Sequence, residues 1–98
     1  MKIEFSKEFE KAIKKLSGKK LNSVRTVIME VRAAEKINQL TNCKKLVGYS
    51  YAYRIRIGDL RVLFILQIKG DTVEFEYLVS RGEAYSKKIQ EQLRKKDN

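Results

Sequence analysis

The stretch "YRIRIGDLRVLF", residues 53–64, constrains the fold more than any other part of the chain. Alternate side chains of a strand point to opposite faces. Tyr53, Ile55 and Ile57 therefore share one face, and Arg54 and Arg56 share the other. Gly58-Asp59 is a two-residue hairpin signal, and Arg61 opens the strand that follows. The apolar face has to be buried against another layer, while the opposite face presents guanidinium groups. A chain with this hairpin is committed to an antiparallel sheet with one covered face.

The covering layer comes from the N-terminal half. "MKIEF" at 1–5 predicts a short strand, with Ile3 and Phe5 on one side, and Ser6 is placed to cap a helix. Phe9, Ala12, Ile13 and Leu16 then recur at helical spacing, and Gly18 is expected to close that helix in a left-handed conformation. A second helix is expected from Leu21 to Asn38, its stripe being Leu21, Val24, Val27, Ile28 and Val31. The connection between the two helices is short, which favours an antiparallel pair. "LTNCKKLVG" reads as a loop.

The remainder is strand-rich. Strands are expected at 50–57, 60–68 and 72–80, with "KGD" turning the chain at 69–71. In the last strand, alternation sets Glu74 and Glu76 opposite Val73, Phe75 and Tyr77. If the glutamates lie on the open face, they confine any site there to its arginine-rich end. The final "AYSKKIQEQLRKKDN" is polar and weakly helical, and is expected to fray at its end. The expected order is β-α-α-β-β-β. This is an α+β fold in which two N-terminal antiparallel helices pack on one face of a small, mostly antiparallel four-stranded sheet, with a C-terminal helix as a possible addition. A chain of 98 residues suits one domain, 1–98, with 86–98 as its polar end.

Charge narrows the partners. Lys and Arg number 22 against 12 Asp and Glu, a net +10, which favours nucleic acid, an anionic membrane surface or an acidic protein segment. No apolar run approaches the roughly 18–20 residues that span a bilayer. "MKIEFSKEFEK" carries no apolar signal region, and its Glu8 and Glu10 interrupt the lysines as a membrane-surface helix would not. A cytoplasmic protein is expected, with nucleic acid ahead of an acidic protein as partner and no membrane. There is no histidine, and Cys43 is alone. A disulfide framework, a zinc site and a base-activated thiol therefore have no residues to build them, and neither metal nor cofactor is expected.

Pairing across Gly58-Asp59 can bring Arg61 onto the face of Arg54 and Arg56. "SRGEAY" adds Arg81 and, four residues on, Tyr85. Guanidinium forks bind phosphate oxygens bidentately and stay charged at neutral pH, so the set suits a nucleic-acid backbone more than base edges. Plainer readings stand beside this one. Alternating arginines also guard a solvated sheet against edge pairing, and the Tyr85 ring also fits beneath a last helix.

With "KKLVG", "YAYRIRIGDLRVLF" and "VSRGEAY" in this order, the chain resembles the RelE/ParE superfamily of bacterial type II toxins. The resemblance implies a twisted antiparallel sheet backed by two N-terminal helices, and an antitoxin that wraps the toxin with acidic or amphipathic segments. Its RelE branch cleaves messenger RNA in the A site of the 30S ribosomal subunit. Its ParE branch inhibits DNA gyrase and is not a nuclease. Carried over residue by residue, Arg54 and Arg56 correspond to the RNA-binding basic residues of the hairpin, and Arg61, Arg81 and Tyr85 to the catalytic set. The chain departs from the best-known RelE pattern in having arginines where that pattern has lysines at 54 and 56. It also has a shorter stretch before the tyrosine.

The implied reaction is metal-independent attack of a ribose 2'-hydroxyl on its own 3'-phosphate. Arg61 and Arg81 would stabilise charge on phosphorus, and Tyr85 would be the base or position it, since surrounding positive charge favours a phenolate. Glu83 is a rival base. Arg61, Arg81 and Tyr85 together favour the RelE branch, a ribosome-dependent mRNA endoribonuclease that inhibits translation. The ParE-like gyrase inhibitor is the alternative.

Overall fold

Ile3 and Phe5 alternate with charged neighbours in β1 (Lys2–Phe5), which ends where Ser6 begins the next element. The Ser6 hydroxyl accepts from the Phe9 N–H at 3.0 Å, capping α1 (Lys7–Lys14), and donates to the Glu76 carbonyl at 2.6 Å. One serine thus starts the helix and ties it to the sheet. The computed structural model describes residues 1–67 and 71–97.

α1 ends at Lys14, so Gly18 does not close it. With φ at +59° this glycine instead opens α2 (Gly18–Ala33). α2 stops five residues short of the expected Asn38, because Ala34 turns extended and its stripe has no member beyond Val31. The Met1 ammonium satisfies the helix end, donating to the carbonyls of Arg32 at 2.9 Å and Ala34 at 2.7 Å. A single 3₁₀ turn follows at Ile37–Gln39.

The sheet has five strands, one more than the four expected. The addition is β2 (Cys43–Lys45), which had read as loop because three residues with two lysines show no alternation. β3 (Ala52–Ile57), β4 (Leu60–Gln67) and β5 (Thr72–Ser80) complete it in the order β1-β5-β4-β3-β2. β1 runs parallel to β5 and every other pair is antiparallel. Of the expected "KGD" turn, Lys69 and Gly70 lie outside the described residues, as does Ile68 of the expected strand.

Two cores flank the sheet. On one face Phe9, Val24 and Val31 of the helices pack on Ile55, Val62, Phe64, Phe75 and Leu78, with Tyr53 and Ile57 at the margin. On the other face Leu63, Ile65 and Tyr77 pack against α3 (Lys87–Lys96), whose Leu93 is wholly buried. Tyr77 reaches this second face through a bulge. Leu63 pairs with Tyr77 and Phe64 with Phe75, leaving Glu76 as an extra residue. The expectation that Tyr77 shares a face with Val73 and Phe75 is therefore corrected. Glu76 is buried, and its Oε2 lies 2.5 Å from Lys96 Nζ. The polar C-terminal segment is held at both ends. Ser86 caps α3 by accepting from the Ile89 N–H at 3.3 Å, and the Asp97 carboxylate accepts from the N–H groups of Ser50 and Tyr51 at 2.7 and 2.6 Å.

Candidate nucleic-acid interface

α3 covers only part of its face of the sheet. The rest, near the β3–β4 hairpin tip, carries the arginines. Arg56 pairs directly with Arg61 across the two strands, and Arg54 pairs with Leu63 one step further in. Like charges placed opposite one another are unfavourable. The hairpin accommodates them by tucking one away. Arg61 is only 8% exposed, and its Nη1 donates to the carbonyls of Gly58 at 2.8 Å and Leu60 at 2.9 Å. Gly58, at φ +58°, makes the two-residue turn that presents its carbonyl to Arg61.

The segment after β5 is pinned to the same tip, where the Arg81 N–H donates to the Asp59 carbonyl at 2.8 Å. A 3₁₀ turn, Glu83–Tyr85, then brings the tyrosine round. Ala84 anchors it, since the residue is wholly buried and its carbonyl accepts from Gln90 Nε2 at 2.8 Å. The result is an open cleft of about 540 Å³ lined by Arg54, Arg56, Arg61, Arg81, Gly82 and Tyr85. All five residues singled out in the sequence meet there. Four guanidinium groups line it and no carboxylate does, so the cleft focuses positive potential and suits an anion with several oxygens.

The plainer readings fare differently. β2 pairs with β3, so Arg54 and Arg56 are not on an edge strand and have no edge to guard. Tyr85 is 58% exposed at the cleft and is not packed beneath α3. Glu83 lines a separate depression beside α1, with Glu8 and Lys11, where its Oε1 accepts from the Ser80 hydroxyl at 2.9 Å. It is therefore not placed as a base for the arginine cleft.

Sequence reasoning missed Lys44. It lies opposite Arg54 in β2 and lines a second hollow, which shares Arg54 and Tyr85 with the main cleft. Cys43, beside it, faces the helical core. Burial pushes its thiol up to about 11 against the opposing pull of the Arg54 guanidinium, so it is no nucleophile at neutral pH. Among the described residues there is no cluster of three or more metal-ligating side chains, and no helix long and apolar enough to cross a membrane.

Fold and cleft together define a small α+β protein with two helices behind a mainly antiparallel sheet and a cationic site built on its last three strands. No family model matches the chain. It is 33% identical over 86 residues to Toxin RelE3 of Methanocaldococcus jannaschii, covering 87% of this chain and 96% of that one. The chain belongs to the RelE family of toxins. Its structure is similar to a RelB-RelE antitoxin-toxin complex from Methanococcus jannaschii, with a TM-score of 0.71 at 29% identity over 86% of this chain and 96% of that chain. A mutant of the E. coli toxin RelE in the free state shares the fold, with a TM-score of 0.72 at 18% identity over 97% of this chain and 95% of that one.

Proposed function

We propose that this RelE-family toxin is a ribosome-dependent mRNA endoribonuclease that acts without a metal ion and blocks translation in the cytoplasm. The observation that carries the reading is the convergence of Arg54, Arg56, Arg61, Arg81 and Tyr85 on one cleft. In the reaction the ribose 2'-oxygen attacks the adjacent phosphorus while the bond to the 5'-oxygen breaks, leaving a 2',3'-cyclic phosphate and a 5'-hydroxyl. Tyr85 takes the 2'-hydroxyl proton or positions the group that does. Arg61, held by two carbonyls, is fixed before substrate arrives, and a preorganised donor of this kind is worth about 10²- to 10³-fold. Arg81 faces the developing charge from the other side. Arg54 and Arg56 hold the backbone, and one of them hydrogen-bonds the departing 5'-oxygen, which takes up a proton from solvent to become the 5'-hydroxyl.

Ribosomal A-site binding supplies the orientation that a cleft this open does not. A protein antitoxin is the partner that neutralises the toxin, as the antitoxin-toxin complex among its structural relatives suggests. The named relatives are RelE toxins, which favours this branch over gyrase inhibition.

Primer extension on messenger RNA translated in a reconstituted system tests the proposal. Wild type should cut within codons, and Arg61→Ala and Tyr85→Phe should not. A soluble wild type that halts growth without cutting would instead direct attention to DNA gyrase.

A further inference from the structure

The cations on the α3 face do not stop at the arginine cleft. Following the strand order, Arg81 lies just after β5, Arg61 on β4, Arg56 and Arg54 on β3, and Lys44 on β2, directly opposite Arg54. The row crosses the strands. With neighbouring strands about 4.8 Å apart, the three gaps from β5 to β2 make a path of roughly 14 Å, longer than one nucleotide step.

Where the path reaches β2 it opens into the second hollow, of about 340 Å³. One wall is Leu46 and Val47. Val47 is 96% exposed, a large apolar residue with nothing packed upon it. The far wall is Gln90, whose amide is already committed. Its Oε1 accepts from the Tyr49 hydroxyl and its Nε2 donates to the Ala84 carbonyl. The hollow thus offers three cations, Lys44, Lys45 and Arg54, of which Lys44 continues the row, beside the apolar surface of Leu46 and the exposed Val47, with its one lining amide engaged. That combination suits a phosphate followed by a flat base held by contact and shape.

We propose that this hollow is a second nucleotide subsite, in which Lys44 holds the phosphate next to the one being cleaved and Val47 provides the seat for its base. The proposal rests on the reading of the arginine cleft as an RNA site. It gives the protein a way to prefer some bases beside the cut, through the fit of a base against the Leu46–Val47 wall.

The test is single-turnover cleavage of ribosome-bound messenger RNA at a series of toxin concentrations. Lys44→Ala should raise the concentration for half-maximal cutting by about three- to tenfold, the effect of one phosphate contact, with the maximal rate within about twofold of wild type. Lys44→Arg should restore it. Val47→Ala should redistribute cuts among codons that differ in the base beside the cut. Lys14→Ala, an equal loss of charge on α1, should leave both quantities unchanged. If Lys44→Ala cuts like wild type while Arg61→Ala does not cut, the subsite is refuted and the arginine cleft stands. An equal effect of Lys14→Ala and Lys44→Ala refutes it as well, because general charge then accounts for the loss. A wild type that cuts nothing overturns both proposals.

Discussion

Arg56 and Arg61 occupy directly opposed positions on β3 and β4, an arrangement that a sheet selected for stability alone would avoid. Replacing the exposed member, Arg56→Thr, should stabilise the fold by about 0.2–1 kcal/mol, read from the urea midpoint, while weakening cleavage. Loss of both stability and activity would mean that the pair is not in conflict. Cys43 gives a second prediction at this scale. Its thiol holds a proton up to about 11 in the folded chain, against an ordinary 9.0. A folded value above the unfolded one contributes stability that is complete below 9.0 and lost as pH rises towards 11. Discounted for partial exposure, the loss is about 1 kcal/mol. The urea midpoint of wild type should therefore fall more than that of Cys43→Ala between about pH 8 and about pH 10.5. Equal falls would show that burial of Cys43 does not govern its titration.

The elements that sequence reasoning resolved are those with enough repeats of a period to show one. β3 alternates over six residues before an unambiguous turn, β4 is a run apolar on both faces as a central strand is, and the arginine face of β3 follows from parity alone. β2 is three residues long and offers no period. The bulge at Glu76 has no mark in "VEFEYL", where even alternation puts Tyr77 beside Phe75, yet it carries Tyr77 and Val79 to the face that Arg81 continues. Alternation without the bulge would have aimed Arg81 at the helices. The gathering of the five candidates was thus legible for Arg54, Arg56 and Arg61 by pairing rules, and for Arg81 and Tyr85, which lie beyond the last strand, only by resemblance. The helical character of the C-terminal segment was legible, but the docking of α3 on the sheet was not. "KKIQEQLRKK" contains only Ile89 and Leu93 as apolar residues, although Leu93 is wholly buried against Leu63, Ile65 and Tyr77. Leu93→Ala should accordingly cost about 2–4 kcal/mol in urea unfolding, far more than so polar a helix implies. A cost near zero would mean that α3 is not docked in solution.

Over the whole molecule, a net charge of +10 draws polyanions from every side, and long-range attraction alone does not choose where they settle. Local geometry makes that choice, and salt dependence separates the two. Each phosphate contact on single-stranded nucleic acid contributes about −0.7 to the slope of log affinity against log salt. If binding is confined to the four arginines of the cleft and their neighbour Lys44, a 2'-O-methylated RNA oligomer that resists cleavage should show a slope of about −3 to −3.5. Arg54→Ala should make it about 0.7 shallower, and Lys14→Ala should not change it. Binding spread over the entire basic surface would instead give a slope nearer −7, with either substitution altering it equally little. The first pattern would assign affinity to a site and leave the surplus charge to speed encounter. The second would leave the cleft with no privileged part in holding RNA, and its arginines would then require a different explanation.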